Sequence, residues 1–251
     1  MKIMELASGQ YAGTKEEISS ITGIPTGKTS GKVIPHIQYA AFMGLICYQK
    51  DSSVYRLSLT PMGKAVWKED KYLFEDVTKW LCHYFITDVN TGAYLWALLY
   101  KWLPYQLDSQ ISYELLERKN TETFGKSFDI GVVKRTYSEG FFESLDVIDW
   151  SDGIIFNSCF YKNSLKYVYA YTLLSQWEKD FADEREMTLE QISNVMMWSR
   201  RFGFDETEMM NVLDELEAEH MIKINHQLHP CTVIKMESSE NIIPKLYSEL
   251  A

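Results

Sequence analysis

The spacing of apolar residues changes several times over the first seventy positions, and each change marks an element. "TKEEISSITG" (14–23) reads as a short helix in which Thr14 caps, Glu17 closes a capping box and Gly23 ends the turn. In "VIPHIQYAAFMGLI" (33–46), Ile34, Ile37, Ala41 and Leu45 form one stripe at helical spacing, and Pro35 sits in the first turn, where its missing N–H costs nothing. "CYQKDSSVYRLSLT" (47–60) alternates like two strands joined by Asp51, Ser52 and Ser53. "PMGKAVWKED" (61–70) begins another helix, with Thr60 as cap and Pro61 at its first position. Helix, turn, helix, hairpin, helix predicts a winged helix-turn-helix over residues 1–70.

From 71 to 185 helical periodicity dominates. Leu73, Val77, Trp80, Leu81 and Tyr84 follow an amphipathic pattern, and "AYLWALLYKWL" (93–103) reads as a helix buried on most sides and stopped by Pro104. A polar stretch runs to Thr123. "FDIGVVKRTYSEGFF" and "SLKYVYAYTLLSQW" predict further helices, with a small hairpin between them at Asp152-Gly153. The last part, 186–251, repeats the logic of the beginning. A helix ends at Gly203, a second covers "DETEMMNVLDELEAEHM", and "IKINHQLHPCTVIKM" forms a wing. The predicted fold is mainly α with small β hairpins: winged-helix units at 1–70 and 186–251, the latter with a C-terminal tail, flank a helical middle at 71–185.

Charge divides these parts. The chain of 251 residues carries a formal net charge of -10, yet residues 1–70 hold 8 Lys/Arg against 6 Asp/Glu. No acid occurs between Glu17 and Asp51, where the overall composition would place about four or five. In the last part the second helix is acidic, with Asp205, Glu206, Glu208, Asp214, Glu215, Glu217 and Glu219; such a helix suits a protein partner rather than a major groove. With 46% hydrophobic residues, composition excludes disorder. The four cysteines are scattered without a CxxC pair, which points to free thiols in a cytoplasmic protein. The longest apolar run is too short for a bilayer, so no membrane association is expected.

"GIPTGKTSGK" (23–32) raises the question of a phosphate-binding loop. That motif needs four residues between its glycines, so that backbone amides wrap the phosphates, and it follows a buried strand. Only three residues separate Gly23 from Gly27, Pro25 removes an amide, and a polar helix precedes. The same chemistry fits a different phosphate. In a helix-turn-helix, the turn and the start of the second helix lie on the DNA backbone. Lys28, Thr29, Ser30 and Lys32 are therefore the expected backbone contacts. His36, Gln38 and Tyr39 are candidates for base edges, and Lys50 and Arg56 are expected on the wing.

Other constellations carry less. His226, His229 and Cys231, with His220 nearby, lack the second ligand pair of a zinc site, so no metal or cofactor is expected. Cys82 and His83 are adjacent on a helix and point apart. Lys134-Arg135 and Arg200-Arg201 could extend a DNA footprint or serve in salt bridges. No catalytic motif is present, and no enzymatic activity is expected.

"TGIPTGKTSGKVIPHIQYAAFMGLI" and "YRLSLTPMGKAVWKEDKYLFEDVTKWLCHYFI" resemble a prokaryotic family known as domain of unknown function 4007. The likeness rests on the helix-turn-helix segment, an L-T-x-x-G element, a D-x-Y-L-x-x-x-T helix (Asp70, Tyr72, Leu73, Thr78) and the pair His83-Tyr84, and it runs on through "KRTY" (134–137). The resemblance implies an accessory protein of phage-defence or DNA sulfur-modification (phosphorothioation) gene clusters, without catalytic residues. The expectation is thus a non-enzymatic subunit whose first unit holds double-stranded DNA and whose acidic, aromatic-rich remainder holds a protein from the same cluster. The alternative is a pure protein–protein adaptor.

Overall fold

A computed structural model describes residues 1–27, 31–227 and 230–250. The protein is mainly α-helical, with three small antiparallel sheets among the described residues. It forms two compact units, Met1–Ala93 and Tyr94–Ala251.

The first unit runs α1 (Lys2–Ser8), β1 (Ala12–Thr14), α2 (Lys15–Thr22), α3 (Val33–Phe42), β2 (Ile46–Asp51), β3 (Val54–Leu59), α4 (Pro61–Glu69) and α5 (Asp76–Ile86). Its sheet has the order β1-β3-β2, so the last strand of the hairpin is central. The caps form as the sequence dictates. The Glu17 N–H donates to Thr14 Oγ1 at 3.3 Å, the Thr14 N–H donates to the Glu17 carboxylate at 2.7 Å, and Gly23 closes α2 in the left-handed region. The Gly63 N–H donates to Thr60 Oγ1 at 2.8 Å at the start of α4. Ile3, Met4, Ile18, Ile37, Tyr55 and Leu57 are buried together as the core under the sheet.

The second unit begins with α6 (Tyr94–Lys101), β4 (Gln110–Ile111), α7 (Tyr113–Phe124), α8 (Gly131–Ser138), β5 (Ile148–Asp149) and β6 (Ile154–Phe156). It continues with α9 (Lys166–Asp180), β7 (Glu186–Thr188), a single π turn (Gln191–Val195), α10 (Trp198–Arg201), α11 (Glu206–Ala218), β8 (Ile222–Asn225), β9 (Thr232–Lys235) and α12 (Ser239–Ile242). The middle part is mostly helical and carries more β structure than the one expected hairpin. The hairpin at Asp152-Gly153 does form, and β4 joins it to make a sheet of order β4-β6-β5. These strands are two or three residues long, too short to show period-two alternation. The polar stretch before Thr123 is the helix α7, capped by Ser112; among its residues only Leu116 and Asn120 are buried, so no apolar stripe marked it. The predicted single helix ending at Gly203 is broken: the chain enters as β7, and Met197 takes a left-handed conformation between the π turn and α10.

One order, helix–strand–helix–helix–strand–strand, therefore occurs three times, and each sheet places the last strand in the middle. The joints repeat as well. Thr14, Ser112 and Thr188 each accept a hydrogen bond from the backbone N–H three residues on, at the strand-to-helix step. Gly23, Gly125 and Gly203, all near φ +70°, end the helix or helical stretch before the turn. Gly44, Asp146 and His220 take left-handed backbones two residues before the hairpin, each followed by a buried apolar residue: Leu45, Val147 or Met221. The third repeat has an aromatic core, and the second repeat is hydrogen-bonded to it. Tyr169, Trp198, Phe202 and Phe204 pack ring against ring at 5.0–6.3 Å, and the Tyr105 hydroxyl donates to the Arg200 carbonyl at 2.8 Å. Fifteen of the 35 aromatic side chains are buried, so much of the aromatic content is core.

Candidate nucleic-acid interface

The candidate surface of the first repeat comprises the turn after α2, the helix α3 and the hairpin. Lys28, Thr29 and Ser30 lie outside the described residues. Lys32 is the N-cap of α3; its stem runs beside Gly27, and its carbonyl accepts from the backbone N–H of His36 at 3.1 Å and contacts His36 Nδ1 at 2.8 Å. The start of this helix has few amides left to offer a phosphate. The Val33 N–H already donates to the Pro25 carbonyl at 3.2 Å, and Pro35 has no N–H.

On α3, Val33 and Ile37 face the core, and His36 and Gln38 are exposed. These two lie about 200° apart around the helix at 3.6 residues per turn, so they stand on opposite flanks. Between them run Pro35, Tyr39 and Phe42, all half-buried, with the Tyr39 and Phe42 rings edge to face at 6.3 Å. Burial pushes the Tyr39 phenol above its ordinary pKa, so the group stays a neutral donor.

The two wing candidates do not share a face. In the register Lys50 pairs with Tyr55 and Gln49 with Arg56, and neighbouring positions on a strand point to opposite sides. Lys50 reaches over the Tyr55 ring at 5.8 Å. Arg56 sits on the central strand between Ala12 and Gln49, on the side of the sheet away from the buried Tyr55 and Leu57. The hairpin turn itself is Ser52–Ser53, with Ser52 left-handed.

Several of the remaining candidates are engaged in packing, while Arg135 is exposed. Arg201 is fully buried and donates to the Gln176 side-chain oxygen at 2.8 Å and the Met196 carbonyl at 2.6 Å; Arg200 stacks on Tyr105 and donates to Asn194. Lys134 donates to the Tyr113 hydroxyl at 2.9 Å. Cys82 and His83 are both buried, and burial pushes the Cys82 thiol far up, away from thiolate chemistry. His226 is exposed, Cys231 is half-buried and His229 lies outside the described residues. Among the described residues, no three His, Cys, Asp or Glu side chains gather to hold a metal ion. No helix among the described residues is long and apolar enough to cross a membrane.

Several acids in and flanking α11 serve the fold rather than solvent. Asp205 caps the helix, Glu217 accepts the Ile224 N–H at 2.7 Å, Glu208 accepts the Tyr161 N–H and Glu219 pairs with Lys166 at 2.8 Å. Glu206, Asp214 and Glu215 remain exposed.

The D-x-Y-L-x-x-x-T element has a structural explanation. The buried Asp70 carboxylate accepts the N–H groups of Phe74 and Glu75 at 2.9 and 3.0 Å and the Thr78 hydroxyl at 2.6 Å, which orders the left-handed turn at Leu73 before α5. This local device needs no shared ancestry. No family model matches the chain, so the resemblance to domain of unknown function 4007 is not carried further as a family assignment. No curated protein matches either.

Solved structures do match. The magnesium ion-bound SspB crystal structure superposes with a TM-score of 0.73 at 14% identity, over 99% of this chain and 85% of that one. A second SspB crystal structure gives 0.72 at 15% identity, with the same coverage. The likeness is one of fold. It extends through all three repeats, and at this identity it assigns no residue a role.

Proposed function

We propose that this chain is a non-enzymatic accessory subunit of a prokaryotic defence or DNA-modification system, with its first unit on double-stranded DNA. The observation that carries the reading is the acid-free run from Ile18 to Lys50 in a chain of net charge -10. That run covers most of α2, the following turn, α3 and most of β2, in the element order of a winged helix. In such a domain the turn and third helix meet the DNA backbone, and Lys28, Thr29, Ser30 and Lys32 would do so here. His36 or Gln38 would reach base edges from one flank of α3 at a time. Lys50 at the hairpin end would touch a neighbouring phosphate. Arg56 has no part in this contact, because it faces the other side of the sheet.

The setting is supported by the fold likeness to the SspB structures. A partner from the same gene cluster would meet the second unit, where Tyr94 and Phe160 are 74% and 72% exposed. One of the SspB structures binds magnesium. With no metal-ligating cluster among the described residues, no step through magnesium is assigned to this chain.

The adaptor reading has its own support. The outward strip of α3 is formed by Pro35, Tyr39 and Phe42, which would suit a protein surface better than a groove lined by phosphates. Fluorescence anisotropy of the full chain on duplex DNA across a salt series separates the two. The DNA reading predicts binding at low salt and, for Lys28→Ala with Lys32→Ala, a log–log salt slope flatter by roughly two. An unchanged slope, or no binding at low salt, favours the adaptor.

A further inference from the structure

The face of the first sheet that carries Arg56 is free of the predicted DNA contact, and it is not flat. Two adjoining recesses of about 320 and 630 Å³ lie along it; they share Gln10 and Ser58 and extend from Gln49 and Arg56 at one end to Lys64 and Trp67 on α4 at the other. No Asp or Glu lines either recess. Arg56 and Lys64 are exposed and make no ion pair among the described residues, whereas Lys68 on the same helix is paired with Glu69. Lys71 lies with its ammonium 4.6 Å from the centre of the Trp67 ring, adding a third positive charge at that end.

A groove with unpaired cations, amide and hydroxyl donors and one indole is a poor seat for an apolar protein face. It is also a poor seat for a duplex, whose bases are stacked away from such a recess. Its chemistry suits an extended anionic chain that can turn a flat ring aside: phosphates against the cations, a base beside the indole. We infer that this groove is a single-stranded nucleic-acid site, with Arg56 and Lys64 on successive phosphates and Trp67 beside a base. The site is separate from the turn-and-α3 surface, so the two assignments fail independently.

The test uses the full chain with fluorescein-labelled oligothymidylate, a duplex of mixed sequence and polyglutamate as a competing polyanion. The expected result is oligothymidylate binding at low salt that weakens in Arg56→Gln with Lys64→Gln, its salt slope flattening by about 1.4 for two single-strand phosphate contacts. Trp67→Leu should weaken it about tenfold, within the range for loss of one base–aromatic contact. Both glutamine changes are at exposed positions, so they keep the test valid if Trp67→Leu fails to fold. Lys28→Ala with Lys32→Ala should weaken the duplex more than oligothymidylate and leave the dependence of oligothymidylate binding on Arg56 and Lys64 in place. The assignment is overturned if oligothymidylate does not bind at low salt, or if its binding ignores Arg56 and Lys64. It is equally overturned if polyglutamate occupies the groove through those residues and oligothymidylate does not, which would make the ligand an acidic peptide. If oligothymidylate responds only to the Lys28 and Lys32 changes, this site falls while the reading of the α3 surface stands.

Discussion

In the first repeat the third helix, α3, carries no charged residue, whereas its counterpart in the last repeat, α11, carries five acids between Glu206 and Glu217. Both helices leave a glycine-ended turn, and both run into a left-handed residue, a buried apolar residue and a hairpin. The scaffold is indifferent to the surface it displays, because its specification lies in the joints. The contrast is also milder than the acid count suggests. Glu208 and Glu217 bond backbone amides, Asp205 and Glu219 just outside the helix are engaged as well, and three acids on α11 are left to face a partner. Repetition of a frame, then, gives no licence to transfer a function from one repeat to the next.

If the joints carry the fold, they should differ in cost by how closely backbone approaches backbone. The largest effect belongs to Gly63, where a Cβ would come within 1.8 Å of the Leu45 carbonyl oxygen. Gly63→Ala should cost about 3 kcal/mol or more, measured by urea unfolding; a neutral result would show that α4 is not pinned to the sheet there.

Asp70→Ala comes next. It removes a buried acceptor from two amides and a hydroxyl, and the expected loss is about 3 kcal/mol, with Asp70→Asn recovering part of it. A loss no greater than that of an ordinary cap would demote the turn at Leu73.

The equivalence of the repeats is sharpened by Thr14→Ala, Ser112→Ala and Thr188→Ala, each expected to cost about 1 kcal/mol. A cost confined to one of the three would show that the cap is not a common element of the frame.

The smallest effect is at the left-handed joint. His220→Gly should stay within about 0.5 kcal/mol of wild type, because relief of the backbone is offset by the freedom glycine gains when unfolded. Gly44→Ala should cost more, since Phe85 lies 3.0 Å from the new Cβ.

Much of this frame was legible where the signals are local. The capping box at Thr14 and Glu17, the cap at Thr60, the turn at Ser52–Ser53 and the stops at Gly23 and Gly203 are read directly from residue type, because each satisfies a nearby backbone group. The middle repeat was legible only in part: α6, α8 and the hairpin at Asp152-Gly153 could be read, but β4 and α7 could not. Its strands are too short to alternate, and α7 buries too little to show a stripe. At the candidate site the residues could be nominated but their faces could not. Lys50 and Arg56 look like one basic wing until pairing with Tyr55 and Gln49 places them on opposite sides. The groove at Arg56, Lys64 and Trp67 had no sequence signal, since its parts come from separate elements.

Whether the first repeat's turn and third helix hold duplex DNA while the equivalent acidic helix does not can be read most directly from hydrogen–deuterium exchange on the full chain with and without a duplex. Slower exchange is expected across residues 24–39 in the presence of DNA, with no change across 205–219. Protection of 205–219, or an unchanged 24–39 under conditions where DNA is bound, would contradict that division of roles.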